Sequence, residues 1–214
     1  MRPCHPTDSG PRRKGGTIAS LIDLVTSKLG SGGLSAIAGR LGISQDKAPG
    51  AVQTALSVLT GAVAKNTAKP KGAASLDAAL AKDHDGSILD RAGDFLGNPA
   101  AGPGAAILGH VLGKKQAPVA AAVGRETGLS KEQSGNLLTT LAPLLMGALG
   151  KAKQEQGLNA SGLASMLAGE SKQIQQGASG GLGKLLGMVG GAGGLMALLG
   201  KAAPFLKGLL GRKQ

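Results

Sequence analysis

The chain has no tryptophan and no tyrosine, and phenylalanine occurs only at positions 95 and 205. This weighs against gripping single-stranded nucleic acid by stacking bases on aromatic rings. Any core must be built from Leu, Ala, Val and Ile. These bury modest areas, so stability has to come from many small contacts. Cysteine is almost absent: Cys4 stands alone, which excludes an intrachain disulfide and suits a reducing compartment.

Acid is scarce, with 12 Asp and Glu against 24 Lys and Arg, for a formal net charge of +12. The excess is uneven. Residues 1–16 carry Arg2, Arg12, Arg13 and Lys14 against Asp8, residues 17–170 are near balance, and residues 171–214 hold basic residues and no acid. Basic ends suggest an anionic partner or a solvated tail. Long apolar runs are missing as well. Residues 185–200 are uncharged, but they fall short of the ~20 residues a spanning helix needs and are rich in glycine. No transmembrane segment is expected. Residues 1–16, "MRPCHPTDSGPRRKGG", lack the apolar stretch of a secretory signal and read as a disordered extension. The expected location is the cytoplasm, peripheral to a membrane if the tail binds one.

What is present is an internal repeat. Residues 38–65, "AGRLGISQDKAPGAVQTALSVLTGAVAK", align with 123–151, "VGRETGLSKEQSGNLLTTLAPLLMGALGK". At an offset of 86, Gly42 meets Gly128, Ser44 meets Ser130, Thr54 meets Thr140, Gly61 meets Gly147 and Lys65 meets Lys151. Leu137, Leu138, Leu141, Leu144, Leu145, Ala148 and Leu149 fall at helical spacing. Ala51, Val52, Ala55, Val58, Leu59, Ala62 and Val63 take the same places in the first copy. Each copy thus shows one apolar stripe along a long helix. Ser130 followed by Gln133 predicts a capping box, and Ser44 holds the matching N-cap place. Pro49 and Pro143 should bend or delay their helices.

No segment alternates apolar and polar residues as a strand would, so the expected class is all-α. Helices are predicted near 17–29, 33–41, 45–66, 72–81, 87–96, 104–113, 116–127, 131–153 and 159–168, with a glycine-interrupted segment near 180–211. The expected organisation is an extension (1–16), a first helical repeat (17–96), a hinge (97–103), a second repeat (104–170) and a Gly/Leu-rich basic tail (171–214). Each repeat is expected to bury its stripe against its own neighbours as a bundle of short helices.

Asp83, His84 and Asp85 concentrate acid and imidazole at "DHDGS", and His110 lies in "ILGHVLGKK". These are metal-ligand types. Adjacent residues, however, do not converge on one ion without an irregular loop. The simpler reading is a turn: Gly86 allows a sharp reversal, Asp85 or Ser87 caps a helix starting at Ile88, and Asp90 and Asp94 favour its N-terminal half. His110, between apolar residues, reads as a packed core histidine. No phosphate-cradling glycine loop followed by Lys-Ser/Thr and no nucleophile elbow is present. Neither an enzyme nor a cofactor is expected.

The order of "IASLIDLVTSKLG", "LGIS", "KDHDGSILD", "GAAILGHVLGKKQ" and "LAPLLMGALGK" resembles the YidB-like family of bacterial proteins of unknown function, over about residues 17–170. The resemblance implies small helical domains of homeodomain-like arrangement and no known reaction, substrate or cofactor. It singles out Asp83, His84, Asp85 and His110 as structural or binding positions.

Three kinds of partner fit the sequence. The first is protein, a second copy or another chain, met through Leu stripes and close Gly/Ala contacts. The second is nucleic acid, since "AIAGRLGISQDKAPGAV" and "AAAVGRETGLSKEQSGNLL" outline helix-turn-helix elements that offer Gln45, Lys47, Lys131, Gln133 and Asn136. Asp46 and Glu132 in the same first turns oppose phosphate. The third is an anionic membrane surface facing Lys184, Lys201, Lys207, Arg212 and Lys213 of the tail.

Overall fold

The computed structural model describes residues 20–84, 86–97, 103–178 and 181–190. The predicted extension, most of the hinge, Asp85, and Lys201, Lys207, Arg212 and Lys213 of the tail lie outside these residues. The described residues are all-α. In chain order the helices are α1 (Leu21–Leu41), α2 (Ala48–Thr67), α3 (Pro70–Asp83), α4 (Ser87–Asp90), α5 (Ala92–Gly97) and α6 (Gly104–Leu112). A 3₁₀ turn (Gly113–Lys115) leads to α7 (Gln116–Thr127), α8 (Lys131–Gln156), α9 (Ala160–Gly177) and α10 (Gly181–Gly190).

Local chemistry sets most boundaries. The two helices expected over 17–41 meet at Gly30, whose non-helical backbone breaks α1. Gly42 and Gly128 take left-handed conformations at the ends of α1 and α7, which glycine adopts without a Cβ clash. In each case the following amide donates back across the cap, Ile43 N to Ala38 O and Leu129 N to Gly124 O, both at 3.0 Å. These bonds fall at the same places of the two sequence copies.

The predicted capping box at α8 is present: Gln133 N donates to Ser130 Oγ at 3.1 Å and Ser130 N donates to Gln133 Oε1 at 2.8 Å. The matching start of α2 differs. Ser44 precedes a tight turn and the helix begins at Ala48, with Pro49 in its first turn. A helix starting at residue 45 would need an amide proton from Pro49 further in, and proline has none. Pro143 instead lies inside a continuous α8. The Thr139 carbonyl that Pro143 cannot bond faces Gly104 of α6, so closely that a Cβ there would overlap it. The helix predicted over 159–168 runs on to 177 because Leu163, Leu167 and Ser171 continue one buried row.

The largest difference from expectation is in packing. The sequence shows one stripe per central helix, yet Ala55–Val63 of α2 and Thr140–Gly150 of α8 are buried without interruption. Unbroken burial over two turns or more means a helix covered on every side. The polar and small residues Ser57, Thr60, Gly61, Gly147 and Gly150 line the faces that looked free. Helix α2 packs on α8, α9 and α10 as well as on α1 and α3, while α8 packs on α1, α2 and α4 as well as on α6 and α7. One hydrophobic cluster runs from Leu21 of α1 to Leu185 of α10. The halves therefore interlock around a shared core, because a half built of short aliphatic helices cannot surround its own central helix.

Candidate functional site

Helix α3 ends at Asp83, which is exposed, and His84 follows as its half-buried C-cap. Ser87 opens α4 instead of capping it; the N-cap is Gly86, with φ of 95°. This turn rests on α8. A Cβ on Gly86 would come within 3.0 Å of Lys151 Cβ, and one on Gly150 would overlap the His84 carbonyl. Likewise a Cβ on Gly147 would overlap the Ile88 side chain. The acid-histidine turn is thus seated in a glycine notch of α8.

Asp90 lies in the first turn of α4, as expected for negative charge, and pairs with Lys28 Nζ at 2.7 Å. The hydrogen bond and charge of Lys28 hold the Asp90 carboxyl below its usual range, and the same pairing raises Lys28. Lys153 Nζ meets Asp77 Oδ1 at 2.7 Å and its main-chain oxygen at 3.0 Å, joining α8 to α3. Glu170 of α9 reaches the start of α1: Ser20 Oγ donates to its Oε2 at 2.8 Å and Leu21 N to its Oε1 at 3.3 Å.

His110 departs from expectation. It is exposed, because Ile107, Leu108 and Leu112 form the buried face of α6 and position 110 falls off it. Its carbonyl and that of Val111 accept from Asn66 Nδ2 at 3.4 and 3.0 Å. His84 sits beside α8 and His110 beside the end of α2, so the structure sets the two histidines against different helices. Among the described residues, no cluster of three or more His, Cys, Asp or Glu side chains could hold a metal ion. Lys184 is exposed on α10.

A basic groove escaped the sequence reading. Between the C-terminal ends of α2 and α6 lies a cavity of about 290 Å³, walled by Ala62, Val111 and Leu112 and rimmed by Lys65, Lys114 and Lys115. Desolvation lowers the Lys65 pKa, and repulsion from Lys115 and Lys69 lowers it further. The adjacent Lys114 and Lys115 were a visible signal; their convergence with Lys65, 49 positions earlier, was not.

The sequence profile of the DUF937 family, bacterial proteins of unknown function, matches residues 23–152. The chain belongs to this family. The matched DUF937 span runs from the first turn of α1 almost to the end of α8, and so takes in both central helices and the seated turn. The YidB-like resemblance agrees with that membership. No curated protein and no solved structure matches the chain. Among the described residues, no helix is long and apolar enough to cross a membrane.

Proposed function

We propose that this protein acts by association, with another protein or a second copy of itself, and does not catalyse a reaction. The observation that carries the reading is where its chemistry-bearing side chains are spent. Asp90, Asp77 and Glu170 clamp one helix to another, and the His84 turn is wedged into α8. Groups so engaged position helices; they are not held ready for proton or electron-pair transfer. The tandem origin of the two halves belongs to the same reading. The recurring cap bonds at Ala38 and Gly124 support it, as do Gly61 and Gly147, which each admit a side chain from another helix, Leu186 and Ile88.

Size-exclusion chromatography with light scattering over a hundredfold concentration range, together with affinity capture from the native host, tests the proposal. A concentration-dependent dimer or a stoichiometric protein partner is the expected result. A strict monomer that captures no protein overturns it.

Nucleic-acid binding through the helix-turn-helix outlines is the second reading. All-round burial is confined to Ala55–Val63 of α2 and Thr140–Gly150 of α8, while Lys47, Lys131 and Asn136 at the helix starts are exposed. What weighs against this reading is charge, since Asp46 and Glu132 stand beside them. Gln133 is also committed, donating from Nε2 to Leu41 O at 2.7 Å. A gel shift at low salt should show no retardation of mixed duplex. For the membrane reading, Leu185 and Leu186 of α10 are buried against the bundle, while Lys184 beside them is exposed. Vesicle co-sedimentation of the full chain against residues 1–190 separates that case.

A further inference from the structure

The contacts between the two halves are reciprocal. Helix α2 packs on its own counterpart, α8. Helix α3 packs on α9, and these correspond too, since Leu76 and Leu80 match Leu163 and Leu167 at an offset of 87. The other pairings come in twos. Helix α1 packs on α8, and α7, which shares its glycine cap, packs on α2. Helix α3 packs on α8, and α9 packs on α2. The helix after each does the same: α4 lies on α8 and α10 lies on α2. This last contact recurs at matched residues. Ile88 of α4 stands over Gly147, and Leu186 of α10 stands over Gly61, the glycine 86 positions before it in the alignment of the copies.

In a twofold dimer, residue i of one subunit meets residue j of the other, and j meets i. Two halves of one chain are under no such constraint. A bundle extended helix by helix would bury each addition on whatever surface was left. Here each half instead lends its flanking helices to the other's central helix and receives the equivalent helices in return. The interface is therefore one that the matching half of another copy satisfies as well as the half in the same chain. Exchange keeps the contacts of the shared core. It changes only the path of the link at 98–102 and the entropy of bringing two chains together.

We propose that this chain associates with a second copy of itself by exchanging halves, so that α2 of each copy packs on α8 of the other. The inference rests on the association reading and names its partner and surface. A short flexible link gives the closed monomer an effective concentration on the order of 1 mM, so exchange belongs to refolding at high protein concentration. Because the halves interlock, the two forms interconvert only through unfolding and can be separated once formed.

The test places cysteines where the halves touch. A disulfide needs Cβ atoms about 4 Å apart. A Cβ on Gly147 would lie against the Ile88 side chain. The full chain with Cys4→Ser and Ile88→Cys/Gly147→Cys is refolded from urea under reducing conditions, from about 10 µM to about 1 mM. Monomer and dimer are separated by size, checked by circular dichroism, treated with diamide and run on a non-reducing denaturing gel. Gly61→Cys/Leu186→Cys is a second pair should the first disturb folding, and each cysteine alone controls for chance linkage. A dimer fraction that grows with concentration is expected. Its disulfides should join two chains and double the mass on the gel, while those of the monomer fraction stay within one chain. Oxidised monomer should form no dimer when refolded, and reduction should restore dimer formation. A native dimer whose disulfides all lie within one chain overturns the exchange and leaves association through an outer surface standing. Monomer at every concentration, or covalent dimers from single cysteines, also overturns it.

Discussion

At the scale of single residues, the same substitution in one helix should have opposite signs at two places. Gly135 of α8 has open space where a Cβ would stand, so Gly135→Ala should gain about 0.5–1 kcal/mol from helix propensity. Gly150 of α8 has the His84 carbonyl there, so Gly150→Ala should lose about 1–3 kcal/mol through overpacking. Urea denaturation of both variants reads the pair. Asp90 gives a prediction about pH. Its folded pKa is depressed, so its contribution is present above the unfolded value, about 3.9, and fades as pH falls through the folded value. Lys28 is raised, so its part persists below about 10.4 and fades as pH rises through its folded value. Asp90→Asn should therefore melt below the parent at neutral pH, and the gap should close in acid. Thermal melts from pH 2 to 8 give the answer. Neither the Gly135–Gly150 contrast nor the Lys28–Asp90 pair was legible in the sequence, since both depend on what another helix brings alongside.

At the scale of elements, sequence signals worked where a boundary is local. The capping box of α8 and the glycine ends of α1 and α7 could be read directly, because backbone hydrogen bonding within a turn or two decides them. At α2 the delay expected from Pro49 outweighs the N-cap signal of Ser44, so the helix begins at Ala48 and not at residue 45. Gln133 shows where local and distant bonds meet: one side chain closes the capping box and bonds Leu41 at the end of α1. Gln133→Glu should keep the box and lose the Leu41 bond, costing about 0.5–1.5 kcal/mol. Gln133→Ala should lose both and cost about twice that. Equal losses for the two, measured by chemical denaturation, would contradict this division.

At the scale of the whole molecule, the interlocked core implies a single cooperative unit. The full chain should unfold in one transition, with coincident helicity and calorimetric signals. Residues 17–96 and 104–170 made separately should not reach native helicity, because each would expose faces of α2 or α8 that the other half covers. Far-UV circular dichroism of the separate halves, alone and mixed, checks this. The all-α class, the helix order and the repeated caps were set by the sequence itself. They follow from periodicity, proline and glycine, whose effects reach no further than a few residues along the chain. Only the tertiary structure decided that the middle turns of the central helices are buried on every face, that the His84 turn sits in a glycine notch while His110 is exposed, and that Lys65 joins Lys114 and Lys115. Those outcomes depend on which helix lies beside which, and in a chain of small aliphatic residues shape and close approach set that, leaving no pattern along one strand of sequence to read.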